Sequence, residues 1–342
     1  MPTESTAKNE RYQPVSWGST EDGPNRESFK RAMSVASVGT VLLQVTVSKV
    51  VQAITNRQLG IQSTLPRKPG SGDKFVSVRR AAAATGGSWV DDTEEVVSQE
   101  GTYTQNNTDF YYRTMMGRVK VTRKAQATGR SWGDLLATEL IDKADDFVND
   151  LESASVIGDN AANAKQINGL LTLIGLVSTQ CIANTSASGG DELSLSLLDK
   201  TIQQVKGHSN KAAMRIFLNY AGGRRLNAAL QAQQRFNDQT MIDAGFVVQT
   251  YQGIPIVEST GIPDVLTFNT TTGRPLAFTG GSTTAIIVVN TTYIFYSELT
   301  PMTVMPVART SSQFDTVDMF MDITLVQDNT LGAAVLTGLS TT

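Results

Sequence analysis

The stretch "DDFVNDLESASVIGDNAANAKQINGLL", Asp145 to Leu171, begins as a helix, breaks at Gly158 and re-enters an apolar segment at "NGLL". The helix extends backwards. Ser131 followed by Asp134 is a capping-box-like start, with Asp in place of the usual Glu. Leu136, Leu140, Ala144, Phe147, Leu151 and Ala154 then recur at spacings of three and four, which is one helical face, and Leu135, Ile141 and Val148 widen it. Gly158 is the expected stop, in the left-handed conformation that a C-cap often takes. About 26 residues at roughly 1.5 Å each predict a helix on the order of 40 Å long. Its other side carries Glu139, Asp142, Asp146 and Asp150 as a carboxylate row. Ser131–Asn160 holds eight acids and one Lys, so the row repels itself by a few tenths of a kcal/mol per pair unless something neutralises it.

Working outward, the 342 residues are 40% hydrophobic, enough for a sizeable core and about two domains by length. Net charge is −3, so the whole molecule is not a polyanion binder. One cysteine, Cys181, excludes an intramolecular disulfide framework and fits a reducing compartment. The N-terminus has no apolar core of a secretory signal, and no run of 18 apolar residues exists, so no membrane partner is expected.

Residues 1–33 are polar, with five acidic and five basic side chains, and read as a flexible arm, either a disordered tail or one that orders against a neighbouring subunit. From Val35 to Ile54 the chain is apolar and fits either a strand or the start of a helix. Residues 60–130 read as a long β excursion: "KFVSVRRA" runs out to a polar tip and "GRVKVTRKA" returns. Eleven Lys or Arg face seven acids there, and five of those acids lie between Asp91 and Glu100, so the strand bases are basic and the tip acidic.

The second half mixes helices and strands. "LSLLDKTIQQVK" places Leu195, Leu198, Ile202 and Val205 on one helical face. "MRIFLN" is a buried strand, followed by a helix "GGRRLNAALQAQ" carrying Leu226 and Leu230. "GFVVQTYQGIPIVES" predicts two strands around a turn at Gln252-Gly253, with Pro255 pointing to an edge. "AIIVVNTTYIFY" predicts a strand pair around Asn290. Val317, Met319, Met321, Ile323 and Leu325 alternate with mostly polar residues, the pattern of a half-buried strand.

Chemistry is sparse. His208, the single histidine, lies in the turn-like "KGHSNK", and Cys181 sits beside Ile182, far from it in sequence. Neither a Ser-His-Asp triad, a Cys-His dyad nor zinc is expected. "GSGDKF" lacks the third glycine of a dinucleotide cradle, and "DDTEE" at Asp91–Glu95 lacks the spacing of a calcium loop. The basic pairs in "VRRA" and "GGRRLN" form no stripe and stand beside no stacking aromatics, so solvation or a protein–protein salt bridge is expected of them rather than nucleic-acid binding. No catalytic residue, metal or cofactor is expected.

The order of parts is informative instead. "DLLATELIDKADDFVNDLESASVIGDNAANAKQINGLL" resembles the spine helix and following loop of tailed-phage major capsid proteins, the Hong Kong 97 fold family. "AAMRIFLNYAGGRRLNAAL" resembles that family's strand ending in Asn before a helix, with Tyr220 where Pro is common. "YQGIPIVESTGIP" is similar to its axial-domain Gly-x-Pro-Val segment, and "QFDTVDMFMDITLVQDNTLGAAVL" to its closing strand. The likeness covers roughly residues 60–340 and implies an α+β fold. Its parts would be a flexible N-terminal arm (1–34), a connection (35–59), an extended loop (60–130), a peripheral domain with the spine helix (131–190 and 306–342) and an axial domain (191–305). It further implies a shell subunit that self-assembles as hexamers and pentamers into an icosahedral head, in the virion and assembled in the host cytoplasm. Implied partners are a portal protein, a separate scaffolding protein, a decoration protein, and packaged double-stranded DNA bound without sequence specificity. No Lys–Asn crosslinking residue can be matched.

Charge adds an expectation about contacts between subunits. The basic strand bases Arg79, Arg80, Arg118, Lys120, Arg123 and Lys124 complement the acidic row Glu139, Asp142, Asp146 and Asp150. The expected arrangement lays one subunit's loop over its neighbour's helix, setting register more than affinity. The rival readings are an encapsulin-type compartment shell and a soluble α/β ligand-binding protein or hydrolase.

Overall fold

In the computed structural model, the described residues are 59–82, 89–94, 102–105, 109–129, 135–205, 210–232, 238–242, 246–307 and 313–341. The 1–34 arm, the Val35–Ile54 segment, the Ser131–Asp134 capping box and His208 lie outside them. In chain order the elements begin with helix α1 (Gly60–Thr64) and strands β1 (Arg67–Pro69), β2 (Lys74–Phe75), β3 (Val78–Ala82), β4 (Thr102–Gln105), β5 (Phe110–Tyr111) and β6 (Arg113–Thr122). Helices α2 (Arg123–Gly129), α3 (Leu135–Ile157) and α4 (Leu170–Gly175), strand β7 (Cys181–Ala183) and helix α5 (Leu195–Gln204) follow. Then come β8 (Met214–Leu218), α6 (Tyr220–Ala232), β9 (Asp238–Ile242), β10 (Phe246–Tyr251), β11 (Ile254–Glu258), β12 (Thr267–Phe268) and β13 (Pro275–Ala277). The chain closes with β14 (Thr283–Asn290), β15 (Ile294–Pro306), β16 (Phe314–Gln327) and β17 (Ala333–Ser340).

The unbroken apolar runs become the central sheet, because a strand covered on both faces has no polar side to alternate with. Its seven strands run β7-β17-β14-β8-β11-β10-β9. Every residue of β14 and of β17 is buried. Phe217, Ile287, Val289 and Val335 pack into one hydrophobic core with α3 and α4. Ile216, Leu218, Ile286, Val288 and Leu336 turn the other way, into a second core with α5 and α6. The predicted turn holds: Gln252 and Gly253 both take positive φ, 52° and 80°, as a two-residue hairpin between β10 and β11 requires. Pro255 is nonetheless not at an edge. β11 lies between β10 and β8, and the proline precedes the parallel pairing with β8, which begins at Ile256, so its missing N–H breaks no rung there.

A second sheet has the order β1-β15-β16-β6. The alternation along β16 buries Met319, Met321, Ile323 and Leu325, while Thr324, Val326 and Gln327 are buried too, because that end is covered on both faces. Three sequence expectations change here. "GRVKVT" is not the return of the excursion: β6 pairs with β16, two hundred positions away, and "RKA" begins helix α2. The return is made by β4 and β5, which pair antiparallel with β3 and β2. The two strands around Asn290 part company, β14 joining the seven-stranded sheet and β15 the four-stranded one. The expected cut near residue 306 therefore does not follow the sheets: β15 pairs with β16 across it, and β17 pairs back with β14.

Helix α3 lies against β6 where the strand offers no side chain; a Cβ added to Gly117 would stand 3.5 Å from the Phe147 ring. Its 23 residues span about 35 Å. Phe147, Leu151 and Val156 are buried as expected, but Ile141 is 63% exposed, so the apolar face is narrower in the first half than its spacing suggests. Gly158 ends the helix by close approach instead of a left-handed φ. A Cβ there would meet Ile167 O at 2.3 Å, and the Gly158 carbonyl accepts the Gly169 N–H at 2.8 Å.

Candidate assembly surface

The root of the excursion is tied to α3 and β15. Glu152, fully buried in α3, accepts the N–H groups of Ile61 (2.9 Å) and Gln62 (3.0 Å) and the Ser259 hydroxyl (2.6 Å). It caps α1 from some 90 positions away, supplying acceptors for N–H groups that a short helix leaves unpaired. Gln62 Nε2 donates to Val148 O at 2.6 Å. Gly60 is required by space, since a Cβ would reach Glu258 O at 2.2 Å. The Tyr296 hydroxyl donates to Ser155 Oγ at 2.7 Å, and Ser155 in turn to Leu151 O. Burial pushes the Glu152 carboxyl above its ordinary value despite three donors, and raises the Tyr296 hydroxyl likewise. β1 runs parallel to β15, Arg67 pairs with Glu298, and Lys68 Nζ sits 3.5 Å from the Phe295 ring centroid. Beyond the root, Lys74 pairs with Asp109 at 2.8 Å across β2 and β5.

The carboxylate row Glu139, Asp142, Asp146 and Asp150 is exposed along its length. Among the described residues, Glu139, Asp142 and Asp150 enter no ion pair.

The six predicted cations do not act as one group. Arg79 and Arg80 lie on β3 opposite Thr104 and Tyr103, with their side chains outside the described residues, and Val78 beside them is 66% exposed. Arg118 is already engaged: its Nε and Nη2 bind the two Asp318 carboxylate oxygens at 2.6 and 2.7 Å, a bidentate fork across β6 and β16. The guanidinium holds the Asp318 carboxyl below its ordinary range. Lys120 Nζ rests 3.9 Å from the Phe314 ring centroid. Arg123 and Lys124 open α2 and are exposed. Strand alternation sends Arg118 and Lys120 to the sheet face away from α3, so the chain's own row and its own β6 cations lie on opposite sides. The pair Arg224 and Arg225 also has an internal task, donating to Thr341 O and Ser340 O at 3.0 Å at the end of β17.

In the sequence Glu152 is one of eight acids with nothing to set it apart except its place one residue after Leu151, which is buried with it. Cys181 is buried, its Sγ 3.6 Å from Ile174 O, and burial pushes its thiol up to about 11, so the nucleophilic thiolate is disfavoured. Asp91–Glu94 are exposed, and among the described residues no three His, Cys, Asp or Glu gather as a metal site. Among them also, no helix is long and apolar enough to cross a membrane. The built features are anchors for an extension and an exposed charged strip.

No curated protein matches the chain. Among solved structures it is similar to the holo-SrpI encapsulin complex from Synechococcus elongatus PCC 7942, with a TM-score of 0.65 and 12% identity over 90% of this chain and 97% of that one. It is similar to the capsid of the native GTA particle, with a TM-score of 0.61 and 11% identity over 90% and 98%. It is similar to the Cyanophage A-1(L) capsid, with a TM-score of 0.62 and 13% identity over 88% and 98%. At such identities the likeness is one of fold, the Hong Kong 97 type. A family model, the SU10 major capsid protein, matches residues 38–340, and on that match the chain belongs to the SU10 major capsid protein family, with a structural role in a tailed-phage capsid.

Proposed function

We propose that this chain closes into an icosahedral head of hexamers and pentamers around double-stranded DNA, with each subunit's extended loop laid along the α3 helix of a neighbour. Self-association is the family's business; the hexamer–pentamer layout, the DNA and the docking geometry are this proposal's own. The single observation that carries the docking is the exposed carboxylate strip on α3, whose Glu139, Asp142 and Asp150 have no ion-pair partner among the described residues. An unneutralised row of like charges is mildly self-repelling, and a basic partner relieves it. Strand β3 supplies that chemistry, with exposed Val78 followed by Arg79 and Arg80. Arg118 drops out of the docking set because Asp318 occupies it, and Arg123 and Lys124 remain. In domain terms α3 and the four-stranded sheet form the peripheral part, and the seven-stranded sheet with α5 and α6 the axial part. A portal, a scaffolding protein and a decoration protein complete the assembly in the host cytoplasm. The likeness to an encapsulin shell supports a second reading, a cargo compartment instead of a DNA head.

Negative-stain microscopy of the purified full chain tests the shell, and uniform closed particles are expected. The docking is tested by Arg79→Glu with Arg80→Glu, scored as assembled fraction at low and high salt. Loss of assembly at low salt is expected, and unchanged assembly at both salts would overturn it.

A further inference from the structure

At the far end of the excursion, the side chain of Trp89 is completely exposed, and Val90 is 44% exposed. Asp91, Asp92 and Glu94 beside them are also exposed. An indole is among the largest apolar surfaces a chain possesses, and one left entirely in water gains by being covered. Its flanking carboxylates favour a cover that carries positive charge.

The described surface contains a groove of that chemistry. It lies between α4 and the β12–β13 hairpin, with a volume of about 420 Å³. Leu176 and Leu276, 60% and 62% exposed, face it together with half-buried Phe278, and Arg274 stands at its rim. Lone exposed leucines are ordinary, and these two share one cavity with Phe278. Arg274 forms no ion pair among the described residues. Asp159, the acid in the lining, accepts the Ala161 N–H at 2.8 Å, so Arg274 and Asp159 are the charged groups of the lining.

Chain lengths fit the two together. Asp159 and Asn160, which line the groove, follow directly on the C-terminal end of α3. From Glu139 to Ile157 the helix rises about 27 Å. From Arg80 to Trp89 the chain can span at most about 32 Å. A loop whose basic root meets Glu139 thus has the length to bring Trp89 to the far end of the same helix. Within its own chain the Trp89 side chain stays fully exposed.

We propose that the Trp89 tip of one subunit seats in the α4–β12/β13 groove of a second copy of this chain, with the Asp91, Asp92 and Glu94 carboxylates toward Arg274. The proposal rests on the docking of the loop along α3 and adds its endpoint and its apolar anchor. Cysteine crosslinking of assembled full-length protein tests it, since the native Cys181 is buried and contributes no background. The double variant Trp89→Cys/Leu276→Cys, oxidised after assembly, is expected to convert most of the monomer band into a covalent ladder on a non-reducing gel. Trp89→Cys/Met305→Cys, which pairs the tip with an exposed apolar residue elsewhere, is expected to stay monomeric. Where the double variant does not assemble, the two single variants co-assembled with excess wild type are expected to give a crosslinked dimer. Closed particles with no Leu276 crosslink in either format, or an equal crosslink to Met305, overturn the seating. Absence of particles from wild type fails the shell reading instead, so the two failures are distinguishable.

Discussion

Glu152 and Ser259 lie 107 positions apart in sequence and meet at 2.6 Å, the hydroxyl donating to a carboxylate that no solvent reaches. The same carboxylate holds the first turn of α1, so one side chain joins the long helix, the root of the extended loop and the turn after β11. This node sets where the loop leaves the body.

Removing the node should be costly. Glu152→Ala leaves two buried N–H groups and a hydroxyl without an acceptor, for which about 3–5 kcal/mol is expected. Glu152→Gln keeps the shape but turns an amide N–H₂ toward backbone donors, and about 1–3 kcal/mol is expected. Denaturant midpoints of unassembled subunits measure both. Equal stability of the alanine variant and wild type would show that the node is ornamental.

The same residue gives stability a pH slope. Burial raises the folded carboxyl above its ordinary 4.5, so between that value and the raised one the folded chain holds more protons than the unfolded chain. Stability in that window falls as pH rises. Wild type is therefore expected to lose ground to Glu152→Gln as pH climbs from about 4.5 towards neutrality, in unfolding curves taken at fixed salt. Parallel curves would mean that the carboxyl titrates as it does in the unfolded chain.

The crossing of Gly158 and Gly169 makes the end of α3 intolerant of any side chain. A Cβ at Gly158 meets Ala154 O at 2.4 Å, and one at Gly169 meets Val156 O at 2.5 Å, all backbone that cannot swing aside. Alanine at either is expected to cost about 3–5 kcal/mol or prevent soluble expression. Gly189→Ala, with nothing within 4 Å, is expected to stay within about 0.5 kcal/mol. Similar losses at all three sites would rule out the steric account.

What could be read from the chain was local. Period and run length located α3, β8, β14 and β16, and the turn at Gln252-Gly253 followed from its residues. What could not be read was partnership across distance. Nothing near Arg118 announces Asp318, and nothing near Glu152 announces Ser259. Likewise "AIIVVNTTYIFY" gives two strands but not the fact that they join different sheets, since pairing depends on edges offered by β8, β17 and β16. The acidic row was legible because exposure follows from spacing alone. The six cations were not separable into those engaged within the chain and the rest until the sheet was in place.

That separation yields the last prediction. Arg118 is bound within its own subunit, so Arg118→Glu is expected to lower the melting temperature of unassembled protein by setting two carboxylates face to face across β6 and β16. The swap Arg118→Glu/Asp318→Arg should restore much of it, because the opposite charges face each other again. Arg123→Glu with Lys124→Glu, on exposed α2, should leave that melting temperature unchanged and reduce the assembled fraction at low salt only. Scanning calorimetry of subunits beside sedimentation of assembly mixtures keeps the two effects apart. If Arg118→Glu spares the fold and blocks assembly, while the α2 pair does the reverse, then the assignment of internal and docking cations made from the β6–β16 register is inverted.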